Sequence, residues 1–312
     1  GIIGESFPRE KLTKPLAIQG IGFQVGPAAG VAAAGAIVGA GATGAFEGIP
    51  VLQSIAPWRG AFVLIALPGL FAILLVPFLH TPVRMKPSEQ GQTRSEGARL
   101  MSFVRQHPRL MVLMLGAAGI SAISTGVLTG WVPEYLQRSL GVSPAEAGSM
   151  LGIIMLLAAF GGQGLFSILV DHFAARGMVD APLRLGLVPV ALAVPLAWLA
   201  FSGSDSLSFY PLLLAFALSV APFNAINNSV AQQIAPPQLR SRISALFVLS
   251  ISIVGFAIGP TLVGWISEFV LGEERLGEAI RLVSTGSLVI TLILVWLARK
   301  PFLACMQSRL AA

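Results

Sequence analysis

Eight long apolar runs divide this 312-residue chain, at about residues 16–40, 60–79, 110–131, 147–170, 185–202, 211–233, 243–266 and 280–298. A helix needs about 20 mostly apolar residues to cross the hydrocarbon core of a bilayer, and only a helix or a closed barrel satisfies its backbone there. Each run therefore reads as one transmembrane helix, and the fold class is an all-α polytopic membrane bundle. Charge agrees with this, because 11% charged residues is too little to cover a soluble surface, where about 25% is usual. A single cysteine, Cys305, excludes an internal disulfide framework. The formal charge of +6 does not imply a nucleic-acid partner, since the basic residues sit between apolar runs without interleaved aromatics. The chain opens polar, with Glu5, Arg9, Glu10, Lys11 and Lys14 ahead of the first run, unlike a cleaved signal peptide.

Basic residues set the expected orientation. With the N-terminus cytoplasmic, sixteen of the twenty Lys and Arg fall on the cytoplasmic side, and only Arg59, Arg138, Arg275 and Arg281 fall outside. The expected location is the plasma (inner) membrane, with both ends of the chain cytoplasmic. The longest polar stretch, Thr81–Arg109, is rich in Arg, Gln, Ser and Pro. It divides the chain into 1–80 (two helices), a linker at 81–109 and a six-helix part at 110–312.

The motif Gly22-Phe-Gln-Val-Gly26-Pro27 recurs as Gly255-Phe-Ala-Ile-Gly259-Pro260, and the match extends without gaps back to Arg9 and Arg242. Glycines four residues apart place two flat patches on one helix face, and the proline loosens the helix behind them. The same pattern is a common packing motif, but the preceding basic loop repeats as well. From the first span to its equivalent, the seventh, is a step of six helices. Eight spans are then one six-helix unit preceded by the last two helices of another, and four helices are expected ahead of Gly1. Repeats about an axis along the membrane normal characterise secondary transporters.

Several stretches, in order, resemble the major facilitator superfamily (MFS) and, within it, the spinster-like branch. They are Phe7-Pro8-Arg9; Trp58-Arg59 followed by Leu67-Pro68-Gly69; Trp131-Val-Pro133-Glu-Tyr-Leu136 with Gly141-Val-Ser-Pro; and Pro236-Pro-Gln-Leu-Arg240-Ser-Arg242 running on to Gly264-Trp-Ile-Ser-Glu268. The resemblance covers essentially the whole chain and implies helices 5–12 of a twelve-helix transporter, two bundles that rock around a central cavity. It also implies that the proton-coupling carboxylates of the family lie in helices absent from this sequence.

Gly161-Gly162-Gln163-Gly164 leads to Asp171 and Arg176 and resembles the family's gate motif between helices eight and nine. It departs from the family at Ser167, where glycine is usual, and at His172, where arginine is usual. A carboxylate there would favour one closed state through a charge-assisted bond. A solvated loop pair worth under about 1 kcal/mol is the alternative. Arg240 and Arg242 either pair with Asp171 or face lipid phosphates.

Asn224, Asn228 and Gln232 form an i, i+4, i+8 stripe with Asn227 beside it. Such amides must face protein or a watery cavity. They either line a substrate pathway or bond neighbouring helices. Gln24 and Ser124 are further candidates to touch substrate, although hydroxyls often bond back to their own helix. No acidic or basic residue lies in the middle of a span, which suits a neutral or amphipathic solute. His80, His107 and His172 are too scattered for a metal site, and no Walker or dinucleotide motif is present, so no metal or cofactor is expected.

The leading reading is a secondary transporter of a small organic or lipid-like solute, coupled to protons. A truncated or accessory membrane protein is the second reading. A lipid-modifying enzyme is the third, and it lacks convergent His, Asp, Glu or Cys residues.

Overall fold

A computed structural model describes residues 13–75, 77, 91–203 and 206–310. Among them the secondary structure is helical, with no strand. The helices that matter below are α1 (Thr13–Ala42), α2 (Pro57–Leu75), α3 (Gly91–Gln106), α4 (Pro108–Gly130), α5 (Pro144–Leu157), α6 (Leu165–Ala175) and α7 (Ala181–Ala200). They continue as α8 (Ser206–Val220), α9 (Pro222–Ile234), α10 (Arg240–Ser250), α11 (Gly259–Trp265) and α12 (Leu276–Leu310). Eight stretches are long and apolar enough to cross a membrane, from Val25–Ala42 to Glu273–Ser308, and each coincides with one of the eight apolar runs of the sequence. The chain is a multi-pass membrane protein.

Two compact units are present. One comprises residues 1–89 with 141–156, and the other 90–140 with 157–312. The polar stretch expected as a plain linker at 81–109 contains α3, which belongs to the second unit. Its apolar residues Leu100, Phe103 and Val104 share one helix face, so Phe103 is buried and Leu100 and Val104 pack beside it on the core.

In the first unit, α1 packs on α2 and runs antiparallel to α5. In the second, α4 and α12 pack along their lengths, and α12 also packs on α7. Three π-helical segments interrupt the regular helices, at Ala158–Gly164, Ile251–Ile258 and Ile266–Leu271. The first holds the Gly-Gly-Gln-Gly run. A Cβ at Gly162 would lie 2.5 Å from the Leu218 carbonyl oxygen, so glycine is what lets this turn press against α8.

An aromatic cluster closes one end of the second unit. Tyr135 packs against Phe201 and Phe209, and its hydroxyl donates to the Gly203 carbonyl at 3.1 Å. Burial raises the Tyr135 phenol above its ordinary pKa, so it stays a donor. A Cβ at Gly277 would come within 2.7 Å of the Tyr135 ring, which gives that glycine its packing role.

Candidate functional site

The repeat glycines occupy two different settings. In the second copy, a Cβ on Gly255 would fall 2.3 Å from the Ala122 Cβ, and one on Gly259 would fall 3.1 Å from Ile123. On the facing helix, Gly126 meets the Gly255 carbonyl in the same way. The contact is fixed at its ends by Ser250 Oγ donating to the Leu115 carbonyl (2.7 Å) and by Trp131 Nε1 donating to the Pro260 carbonyl (2.9 Å). In the first copy, Gly22 and Gly26 meet nothing within 4 Å among the described residues, and Pro27 follows inside α1. One sequence pattern therefore serves a filled helix contact in one place and an open face in the other.

A second small-residue contact lies in the first unit. A Cβ on Gly35 would be 2.6 Å from Gly148 Cα, one on Gly39 would be 2.4 Å from the Ala145 Cβ, and one on Gly152 would be 2.7 Å from the Ala32 Cβ. Ala28, at 0% exposure, completes the seam. The backbones of α1 and α5 touch here because Gly and Ala recur every three or four residues on both. The seam occupies the C-terminal half of α1, remote from the N-terminal end of that helix. Nothing in the sequence analysis picked it out, and the signal was present in the spacing of Gly148 and Gly152.

The amide stripe is placed on an open face. Asn224, Asn228 and Gln232 are exposed along one side of α9, whereas Asn227 turns inward and is buried. Gln232 Nε2 donates to Ser244 Oγ at 3.2 Å. Among the described residues, Asn224 and Asn228 make no side-chain hydrogen bond. Ser124 lies elsewhere: it is fully buried, with its Oγ 3.3 Å from that of Ser287 on α12. Nearby hydroxyls bond back to their own helices, Ser121 to the Ala118 carbonyl and Thr291 to the Ser287 carbonyl. The Gln24 side chain lies outside the described side chains.

Asp171 is exposed on α6 and borders a crevice of about 60 Å³ lined also by Phe166, Ser167, Val170, Pro182, Ile226 and Ser229. That is room for a few water molecules. Among the described residues Asp171 has no ion pair, and Arg176 and Arg240 are exposed. Arg242 sits beside α3, where a Cβ on Gly97 would approach its Nη1 at 4.0 Å.

The buried ion pair of the second unit is one that sequence reasoning missed. Asp180 Oδ2 accepts from Arg299 Nε at 3.0 Å and from Nη2 at 2.7 Å. Asp180 stands at the start of α7 without capping it, and it is 7% exposed. The pair joins α7 to α12 across 119 residues of sequence, so no local pattern announces it.

The model of the Major Facilitator Superfamily matches residues 1–260. Among individual proteins, protein Spinster of Drosophila melanogaster is 25% identical over 225 residues, which is 69% of this chain and 37% of that protein. The chain thus spans well under half the length of the curated relatives it matches. Two crystal structures of a bacterial homologue of the human lysosomal transporter Spinster share the fold. The inward-facing, unoccupied form aligns with a TM-score of 0.74 at 21% identity, over 97% of this chain and 74% of that one. The inward-facing, occupied form aligns with a TM-score of 0.68 at 20% identity, over 98% and 72%.

Proposed function

Since this chain belongs to the Major Facilitator Superfamily, we propose that it serves secondary transport of a small organic or amphipathic solute by alternating access. The observation that carries the reading is the exposed amide stripe of α9. Asn224 and Asn228 offer donors and acceptors on a membrane-spanning helix, where lipid would leave them unsatisfied at a cost of several kcal/mol each. A solvated solute pathway removes that cost and uses the amides to orient a bound molecule. Amides without a buried counter-ion favour a neutral or amphipathic solute, and Spinster relatives are transporters by name. Protons are the proposed coupling ion. The proposed location is the plasma (inner) membrane with the chain ends cytoplasmic, on the strength of the charge bias. The proposed organisation is 1–80, a linker at 81–109, and 110–312.

The small-residue seam between α1 and α5 supports a closing contact on the side away from the start of α1. Packed glycines separate and re-form without leaving polar groups unsatisfied, which suits a contact that opens in each cycle. Asp171 is the proposed counterpart near the other end of the span Pro144–Ala175. Its open carboxylate is free to take a charge-assisted bond with Arg240 or Arg242 in the alternative state. Ser124 is assigned to helix packing, in view of its bond to Ser287.

Solute flux into sealed proteoliposomes, with and without an imposed pH gradient, tests the reading on this chain and on a form extended upstream. Gradient-driven flux by either form supports it. No flux from either, across lysolipids, sugar acids and aromatic acids, counts against it. Asn228→Ala is expected to raise the half-saturating solute concentration about fivefold, the loss of roughly one hydrogen bond. Wild-type saturation would return Asn228 to a helix-packing role. Asp171→Asn is expected to slow turnover about tenfold with unchanged membrane insertion. Unaltered turnover would remove Asp171 from gating.

A further inference from the structure

The helix α3 and the arginines around it form a charged surface of which the transport reading uses Arg240 alone. One residue, His107, separates α3 from the membrane span α4, so α3 sits by chain continuity at the depth of the lipid headgroups. Its apolar face is anchored: Phe103 is 7% exposed, packed in the core of the second unit. The opposite face carries Arg105, which is exposed, and Met101, which is 52% exposed; Arg99, one turn before Phe103 on the anchored side, is exposed as well. Arg109 follows at the first turn of α4, also exposed. The helix packs against the turn Pro237–Leu239, so exposed Arg240 belongs to the same end of the unit.

None of Arg99, Arg105, Arg109 and Arg240 has a carboxylate partner among the described residues. The carboxylate of Asp180 is already engaged by Arg299. Four exposed guanidinium groups at one end of the unit, an anchored helix and an exposed methionine one turn from Arg105 make a two-part surface. The methionine suits the acyl boundary and the arginines suit phosphate oxygens, which they bind in bidentate fashion.

We propose that α3, with Arg99, Arg105, Arg109 and Arg240, is a docking surface for anionic phospholipid headgroups of the adjoining leaflet. Charge complementarity selects the occupant: an anionic leaflet attracts juxtamembrane basic residues at about fivefold in affinity per residue. A positive-inside bias alone places arginines on this side of the membrane, but it does not require an anchored helix that presents Met101 and Arg105 one turn apart on its open face. A bound lipid here would hold α3 against the turn before α10 and so stiffen this end of the second unit.

The test uses the full chain reconstituted in vesicles of phosphatidylcholine and phosphatidylglycerol at three to one. The protein is then extracted into mild detergent, and co-purifying lipid is counted by mass spectrometry. The wild type is expected to retain phosphatidylglycerol in preference to phosphatidylcholine, and added salt to weaken that preference. Arg99→Gln/Arg105→Gln/Arg240→Gln is expected to reduce retained phosphatidylglycerol at least about tenfold. The corresponding lysine variant keeps most of it, and Arg138→Gln, whose side chain pairs with Glu134, keeps all of it. Unchanged phosphatidylglycerol in the triple glutamine variant would overturn the proposal. So would equal loss of both lipids, or displacement of phosphatidylglycerol by millimolar glycerol phosphate, which would mark the surface as a site for a water-soluble anion. A glutamine variant that fails to fold is replaced by the single variants, whose graded losses then decide.

Discussion

Gly148→Val is expected to cut turnover more than tenfold while leaving the chain inserted in the membrane. At this position a Cβ alone would sit 2.6 Å from Gly35 Cα and 2.9 Å from the Val31 carbonyl oxygen. Both neighbours are backbone, so no flexible side chain can move aside. Overpacking of this kind costs typically 1–3 kcal/mol in a packed core. In a two-state equilibrium, about 2 kcal/mol against one state changes the ratio of states some thirtyfold. The seam would stay open, and transport would fall by more than tenfold. Gly30→Ala is the matched control on α1, since nothing lies within 4 Å of a Cβ there. It should leave turnover near the wild-type value. Equal effects from the two substitutions would mean that the seam is not a moving contact.

The second large effect is expected at the ion pair between α7 and α12. Asp180→Ala leaves the Arg299 guanidinium, which is 28% exposed, without its buried acceptor. Breaking a buried pair from one side typically costs about 3–5 kcal/mol, and partial exposure of Arg299 places this case at about 3 kcal/mol or below. The expected result is a clear drop in the thermal unfolding midpoint of the purified protein. Replacing both partners, as Asp180→Leu with Arg299→Met, should recover much of the loss, because no orphaned charge then remains. A double variant as unstable as the sum of the singles would show that the pair is not acting as a unit. The pair lies wholly within the second unit, where it ties α7 to α12.

The membrane spans, the all-helical class and the superfamily were legible in the sequence for a plain physical reason. A bilayer imposes one length and one composition on every crossing segment, so each of the eight runs carries its own evidence. The amide stripe was legible too, because Asn224, Asn228 and Gln232 follow a helical period inside an apolar run. What could not be read were features that depend on contact between distant segments. Asp180 and Arg299 look like two loop charges until α7 and α12 are packed together. Ser124 read as a candidate for substrate until α12 brought Ser287 against it. The linker residues gave only a polar composition, and the helix of α3 emerges once Phe103 has a core to enter. The π segments leave little local trace, although Gly161 and Gly162 marked where one of them falls.

The most direct measurement of alternating access is the labelling of two single-cysteine forms with a membrane-impermeant maleimide, in sealed vesicles supplied with the reagent inside and outside. Cys305 is buried, at 1% exposure, and would first be replaced by serine. Asn228→Cys reports on the amide stripe and Ala145→Cys on the seam. In the resting protein, Asn228→Cys should react, because its position is exposed on the proposed pathway, and Ala145→Cys should be protected, because Gly39 packs against it. Imposing a proton gradient with transported solute should then expose Ala145→Cys and protect Asn228→Cys. An unreactive Asn228→Cys in every condition, or two positions that rise and fall together, would contradict the account.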